Sequence, residues 1–345
     1  MAKLNANLNT ITIKDIARAL NLSTSTVSRA LRGSYEISPE TKRLVTEYAE
    51  RMNYRPNPIA LSLKENRSRV IGVVVPQIAN HFFSQAINGI EAVAYNRGYH
   101  VIILQSHESY QREIATVQQA VGRKVDGLLI SLSSQTDDVS HLTELRQQGF
   151  PMVQFDRVSD KLDAPRVVAD NFRGAFEATE HLILRGRRRI AHVTIPPFMS
   201  IAQERLAGYR AALEAHGLPF DEALVRYVGF GDSEVETIVT DLLRLSPDAF
   251  FTASDRLAAS CLATLRQQGV AIPEQTALVG FTNLAVADLL NPSMTTVMQP
   301  ALEIGQAAAE RLLTMIDKKT ALAPADTLRI ATRLIARDST RPRSA

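Results

Sequence analysis

Apolar positions fall at helical spacing through the first 66 residues, and the period changes after Val70. Ile13, Ile16, Ala17 and Leu20 recur at three- and four-residue intervals behind Thr12, with Asp15 placed to close a capping box. Asn21-Leu22-Ser23 breaks this pattern. Ser23 can then cap a second helix, Thr24–Leu31, with Val27 and Leu31 on its inner face. Two short helices with so brief a connection predict a helix-turn-helix. A third helix follows, with Ser38 as cap, Pro39 in its first turn, and Val45, Tyr48, Ala49 and Met52 repeating. Pro56 ends it. Asn57 can cap a fourth, with Pro58 at its first position, but that helix can run only to about Asn66, too short to hold alone in water.

From Val70 onward, short β-rich apolar runs alternate with longer helical ones. The first series of strands is Val70–Val75, His100–Gln105, Gly127–Ser131, Met152–Phe155 and Arg166–Ala169. The second is Ile190–Ile195, Val225–Gly229, Ala249–Thr252, Ala277–Gly280 and Thr295–Met298. Helical stretches between them include Phe83–Arg97, Tyr110–Gly122, Phe172–Leu184, Gln203–His216, Val235–Leu245 and Leu257–Gln268. A last helix, Leu302–Ile316, precedes a final strand, Thr327–Ile335. Such alternation predicts parallel sheets covered on both faces, and two series predict two doubly wound subdomains.

Composition narrows the class. The 345 residues suit two or three domains. A single cysteine, Cys261, excludes a disulfide within the chain and a Cys-rich metal site. No run reaches the roughly 18 apolar residues that span a bilayer. Residues 1–10 are Asn-rich and lack the apolar core of a signal peptide, so a reduced, cytoplasmic protein is expected. The net charge of +3 hides a division. Residues 1–69 hold 12 basic and 6 acidic residues; the remainder holds 27 basic and 30 acidic. This is either a fluctuation of surface charge or the footprint of a nucleic-acid-binding head on a neutral-to-acidic body.

The second helix favours the latter. Thr24, Ser25, Thr26, Ser28 and Arg29 give it a face of short hydroxyls and one guanidinium. Short polar groups let a helix sit deep in a major groove, and arginine can pair with the guanine O6/N7 edge. The segment after Pro56 reads either as a linker with one turn of helix or as a hinge that folds on DNA and wedges an apolar side chain into the minor groove.

In doubly wound sheets, ligands bind beyond the carboxyl ends of strands, and a cleft between subdomains is a favoured pocket. That rule selects Asn80, Phe82, Phe83, Ser131, Ser133, Asp156 and Arg157 in the first half. In the second it selects Arg205, Ser254, Asp255, Thr282, Asn283 and Gln299. Hydroxyls, amides, opposed charges and two aromatic rings suit a neutral polyhydroxylated molecule. Ser133, Asp255 and Asn283 serve equally well as helix caps, and Asp170-Asn171 reads as a cap. No cofactor or metal is expected. Gly-rich phosphate loops, a nucleophile elbow and paired metal-binding histidines are all missing, which argues against an enzyme. His181 and His192 read as structural, Cys261 as inert core, and Arg185–Arg189 as a solvated turn with Gly186 as C-cap.

Several of these runs together resemble the lactose-repressor (LacI/GalR) family. They are Ile11-Thr12-Ile13-Lys14-Asp15-Ile16-Ala17, Leu22 to Leu31, Tyr54-Arg55-Pro56-Asn57 with Ala60 and Leu63, Ile71 to Pro76, and Asn80-His81-Phe82-Phe83. The resemblance implies an N-terminal all-α helix-turn-helix head with a hinge helix. Two doubly wound parallel-sheet subdomains of the periplasmic-binding-protein type follow. It implies a tail over 1–9, a head over 10–56, a hinge over 57–69 and a body over 70–345. Within the body it implies one subdomain of 70–168 plus 299–326, and another of 169–298 plus 327–345. Thr12, Thr24, Ser25, Thr26, Ser28, Arg29 and Arg32 would meet DNA in the head, and Asn57, Ala60 and Leu63 in the hinge, Leu63 prising the central base pairs. Asp156, Arg205 and Gln299 match positions that often touch an effector. The chain departs from the family at Leu61, Arg32 and His81, and at Ser254 and Thr282, where sugar-responsive members often carry Asn and Asp. The expected protein is a repressor on a palindromic DNA operator, controlled by a small carbohydrate-like effector. The tail Arg337–Ala345 lacks an apolar heptad segment, so a homodimer is expected. The rivals are a periplasmic sugar receptor, against which the absent signal peptide and the basic head argue, and a metabolic enzyme, against which the missing catalytic motifs argue.

Overall fold

The computed structural model describes residues 11–54, 67–229, 234–282, 284–318 and 325–342. The chain forms two compact units, Met1–Ser68 and Arg69–Ala345.

In the first unit, α1 (Ile13–Ala19) starts with Thr12 Oγ1 accepting from the Asp15 N–H while the Asp15 carboxylate accepts from the Thr12 N–H. Helix α2 (Thr24–Leu31) starts at Ser23, whose hydroxyl accepts from the Thr26 N–H at 3.0 Å. Helix α3 (Pro39–Arg51) starts at Ser38. Each cap satisfies backbone donors that the helix cannot pair internally. The core is Ile16, Ala17, Val27, Ala30, Val45 and Ala49. Ala17 and Ala30 let the helices approach closely. Leu31 and Tyr48 only flank this core, and Met52 is largely exposed just past the end of α3.

The second unit contains two sheets. The first half of its chain runs β1 (Val70–Val75), α4 (His81–Asn96), β2 (His100–Gln105), α5 (Tyr110–Gly122), β3 (Gly127–Ile130), α6 (Ser140–Gln147), β4 (Met152–Phe155) and β5 (Arg166–Ala169). The second half runs α7 (Asn171–Leu184), β6 (Ile190–Thr194), α8 (Ser200–Ala215), β7 (Val225–Tyr227), α9 (Val235–Leu243), β8 (Ala249–Thr252), α10 (Asp255–Gln267), β9 (Ala277–Phe281), β10 (Thr295–Met298), α11 (Ala301–Lys318), β11 (Thr327–Ile330) and β12 (Arg333–Ile335). The sheet orders are β11-β5-β4-β3-β1-β2 and β12-β10-β9-β8-β6-β7, parallel except for the β10–β12 pair. Strand β1 sits between β2 (Val70↔His100) and β3 (Ile71↔Gly127). Its unbroken apolar run follows, because Ile71, Val73 and Val75 face one core layer and Val74 the other.

The expected final strand, Thr327–Ile335, is two strands, and its first half does not belong to the second subdomain. Thr327–Ile330 runs parallel to β5 at the edge of the first sheet, whereas Arg333–Ile335 pairs antiparallel with β10 in the second. The chain therefore passes between the sheets after β5, after β10, and once more at Ala331–Thr332. Splitting the segment satisfies the exposed backbone edges of both β5 and β10. Helix α6 starts at Val139 without a side-chain cap, so no local signal in the sequence marks its start.

Arg187 is not solvated, although the surrounding basic run reads that way. It is buried, and its guanidinium donates to the carbonyls of Asp248, Pro273 and Gln275. Cys261 is buried, which pushes its thiol up to about 12. Helices α4 and α11 touch backbone to backbone: a Cβ on Gly305 would lie 2.0 Å from the Ala86 carbonyl oxygen, and one on Gly89 2.2 Å from that of Leu302.

His192 is wholly buried between the Tyr209 and Phe251 rings, 5.1 and 4.7 Å away, and its Nδ1 lies 3.1 Å from the Phe251 carbonyl. A carbonyl can only accept, so Nδ1 carries the proton of the neutral ring. Burial pushes the His192 pKa down to about 4. The unfolded chain therefore binds a proton first, and stability contributed by the neutral ring is full above about pH 6.5 and falls toward pH 4. His192→Phe should reduce the loss of unfolding free energy between pH 7 and 5 by about 2 kcal/mol in urea titrations. An unaltered pH slope would contradict this.

Candidate functional site

A cavity of about 220 Å³ opens where the carboxyl ends of the two sheets face each other. Asp156 enters it directly after β4. Its backbone is left-handed (φ 59°), which aspartate tolerates better than most residues, and its N–H donates to the Val167 carbonyl. Burial raises the Asp156 pKa, and Arg157 and Arg205 oppose that effect.

Arg205 reaches the same point from the first turns of α8. Its Nε and Nη2 donate to Asn171 Oδ1 at 3.0 and 2.8 Å, and Nη1 donates to the Ala253 carbonyl. The guanidinium stands 3.9 Å from the centre of the Phe281 ring. Burial lowers its pKa to about 10, while Asp156 pulls it back up, so the charge persists at neutral pH. Asn171 does not act as a cap here. Asp170 alone caps α7, accepting from the Arg173 N–H, and buried Asn171 fixes the arginine fork.

Across the cavity, Arg157 donates to both Glu108 oxygens at 2.9 and 2.8 Å and lies 5.6 Å from the Phe83 ring. Phe82 and Phe83 meet edge to face with centroids 5.3 Å apart and are largely core. Asn80 lines the cavity while its Oδ1 caps α4 through the Phe82 N–H. Ser254 likewise caps α10 through the Leu257 N–H, and burial raises the pKa of neighbouring Asp255. Thr282 Oγ1 donates to Gln299 Oε1 at 2.8 Å, which sets the amide's orientation, and the buried Gln299 Nε2 is left without a hydrogen-bond partner.

The cavity thus gathers Asn80, Phe82, Phe83, Asp156, Arg157, Arg205, Ser254, Asp255, Thr282 and Gln299. Ser131 is not among its lining residues: it is buried behind the wall, where its hydroxyl accepts from the Arg157 N–H. Ser133 lines a neighbouring cavity instead. Asn283 lies outside the described residues. Gln77, Glu108, Ile195, Ile201 and Arg256 also line the cavity without having been singled out in the sequence. Gln77 and Glu108 follow β1 and β2, so the strand-end rule applied to every strand would have reached them. Three carboxylates (Glu108, Asp156, Asp255) face three guanidinium groups (Arg157, Arg205, Arg256), a balance suited to a neutral ligand.

In the head, Thr24, Ser25 and Arg29 are exposed, while Thr26 and Ser28 are half-buried. The Ser23 hydroxyl lies within 2.7–2.8 Å of those of Ser25 and Thr26. Arg29 pairs with Glu36 at 2.9 Å, and Arg32 donates to Ser28 Oγ at 3.3 Å. Thr12 is committed to its capping box. Asn57, Ala60 and Leu63 lie outside the described residues. Among the described residues, no group of three acidic, histidine or cysteine side chains could hold a metal ion, and no helix is long and apolar enough to cross a membrane.

Comparison with known proteins agrees with both units. Residues 68–338 match the family model of periplasmic binding proteins and sugar binding domain of the LacI family, and residues 12–57 match that of bacterial regulatory proteins, lacI family. The chain belongs to the LacI family. That family is one of DNA-binding transcriptional regulators, not enzymes. The HTH-type transcriptional repressor CytR of Escherichia coli (strain K12) is 34% identical over 312 residues, 89% of each chain. Catabolite control protein A of Priestia megaterium is 29% identical, over 90% of this chain and 94% of that protein. Among solved LacI-family structures, a transcriptional regulator CelR–cellobiose complex matches with a TM-score of 0.72 and 31% identity, over 95% of this chain and 99% of that one. A lac repressor dimer bound to operator and the anti-inducer ONPF shares the fold, with a TM-score of 0.84 at 23% identity over 96% and 99% of the two chains.

Proposed function

We propose that this LacI-family protein is a repressor that binds a palindromic operator as a homodimer and is controlled by a neutral, hydroxyl-rich effector in the cleft. The observation that carries the reading is Arg205. Anchored on the second sheet's side by Asn171 and Ala253, it reaches toward Asp156 on the first. A ligand touching both must bind one arrangement of the subdomains better than another, and only such a difference can shift DNA affinity. The relatives support a carbohydrate-like effector, since one is held in complex with cellobiose and another, from Enterococcus faecium, with ribose.

In this reading, residues 10–56 enter the major groove with Thr24, Ser25 and Arg29 against base edges, and residues 57–69 meet the minor groove at Leu63. Arg29 must exchange Glu36 for a base or phosphate. Arg29→Ala should cost about 1–3 kcal/mol of specific binding and relax base preference at one position. Unchanged selectivity in a binding-site selection would remove Arg29 as a reader. The effector is sought by thermal shift across sugars, sugar phosphates and nucleosides, and no stabilising compound among them would contradict the proposed effector class.

A further inference from the structure

We propose that Glu36 is a second base reader beside Arg29, its carboxylate accepting from the N4 amino group of a cytosine in a base pair next to the guanine that Arg29 holds; this rests on the DNA reading above. Arg29 lies in the last turn of α2, one turn beyond Ser25 and on the same exposed face. Its Nη1 donates to Glu36 Oε2 at 2.9 Å, and the two side chains are 58% and 46% exposed. The turn that carries Glu36 is fixed at both ends. Gly33 closes α2 with a left-handed backbone (φ 72°); its N–H donates to the Ala30 carbonyl at 3.0 Å, and the Ser34 N–H to that of Arg29 at 3.1 Å. Farther on, the Ile37 N–H donates to the Ser34 carbonyl at 3.2 Å, and Ile37 packs on the head core. Ser34 Oγ accepts from the Glu36 N–H at 3.4 Å. Between these anchors Tyr35 is 93% exposed, so the turn projects outward. Backbone geometry thus holds Glu36 beside Arg29; the exposed ion pair by itself contributes little.

A carboxylate is an unfavourable group to bring to a phosphate backbone. The other acids among the described residues of the head, Asp15, Glu40, Glu47 and Glu50, belong to α1 and α3. Glu36 instead stands against the helix that reads the groove. When Arg29 leaves it for guanine, the carboxylate loses its cation in a desolvated groove and needs a donor. The major groove offers two donors, cytosine N4 and adenine N6. Beside N6, however, adenine presents the N7 acceptor, which repels a carboxylate. Guanine and thymine turn acceptors outward, so cytosine is the base that fits. Successive base pairs are about 3.4 Å apart along the axis. Two groups that touch in the free protein therefore need to separate by only one step to engage neighbouring pairs.

The test is binding-site selection by the full-length protein from a randomised duplex library, followed by competition among duplexes that differ at single base pairs. The guanine whose preference Arg29→Ala abolishes marks the place. The wild type should prefer cytosine in a neighbouring pair by about fivefold or more. Glu36→Gln should move that preference to adenine, because a side-chain amide pairs with adenine N6 and N7, and Glu36→Ala should leave the four bases within about twofold. Both variants should keep the guanine. Tighter binding of every duplex by one common factor, with all preferences unchanged, would make Glu36 a competitor for Arg29 and overturn its reading role. Loss of the guanine preference in Glu36→Ala would make it a support for Arg29 and overturn that role as well. Selection of the guanine with no neighbouring preference would overturn Glu36 alone, and unchanged preferences in Arg29→Ala would remove both readers. A wild type that selects no sequence would overturn the DNA reading itself.

Discussion

Replacing Arg205 by alanine should weaken the effector at least 100-fold and destabilise the body by about 3–5 kcal/mol. Removing one partner of a buried charged cluster leaves the others desolvated and unmatched. Here the substitution strips Asn171 Oδ1 of two donors and the Ala253 carbonyl of one, uncovers the Phe281 ring, and leaves Asp156 with Arg157 as its neighbouring guanidinium. Arg205→Lys keeps a charge but cannot span Asn171 and Ala253 together, so it should fall between wild type and alanine. The measurements are urea unfolding and calorimetric titration with the strongest ligand from the thermal-shift panel. Full effector affinity in Arg205→Ala would remove the residue from the site.

Gly305→Ala should cost about 3 kcal/mol, despite the better helix propensity of alanine. Its Cβ would stand 2.0 Å from the Ala86 carbonyl oxygen and 2.8 Å from the carbonyl carbon. Neither atom can turn away, because both belong to the backbone of α4, so the two helices must separate. That separation loosens Ile304, Ala308 and Leu312 against the first sheet. Gly122→Ala is the matched control. Gly122 is the last residue of α5, and an added Cβ there meets nothing within 4 Å, so the change should be neutral or stabilising by up to about 1 kcal/mol. Equal effects of the two substitutions on the urea midpoint would contradict close packing of α4 on α11.

The elements were legible where one local rule governs them. Thr12, Ser23 and Ser38 announce their helices because a cap oxygen and the N–H that donates to it lie three residues apart. The apolar runs of the central strands β1 and β3 announce strands covered on both faces. The failures are long-range. Nothing in Thr327–Ile335 marks a change of sheet, since both halves carry the same extended pattern and only their partners differ. Arg187 sits among four other polar or small turn residues, and only the carbonyls of residues 248, 273 and 275, folded over it, explain its burial. Ten cleft residues followed from the strand-end rule, yet Asn171 did not. Its sequence context is that of a helix start, and its role depends on Arg205, 34 residues away. Glu108 follows β2 and so falls under the strand-end rule, but its pairing with Arg157 does not, because Arg157 follows β4 and β3 and β1 lie between the two strands.

The central proposal is a DNA-reading head governed by a ligand-binding cleft. Its most direct measurement is retention of a palindromic site by the full-length protein, across salt concentrations, with and without the strongest cleft ligand. The account predicts sequence-selective retention by a dimer and a change in affinity of tenfold or more when the cleft is filled, a change that Arg205→Ala abolishes. Binding that follows salt alone, equal for palindromic and scrambled DNA at every ligand concentration, would contradict it.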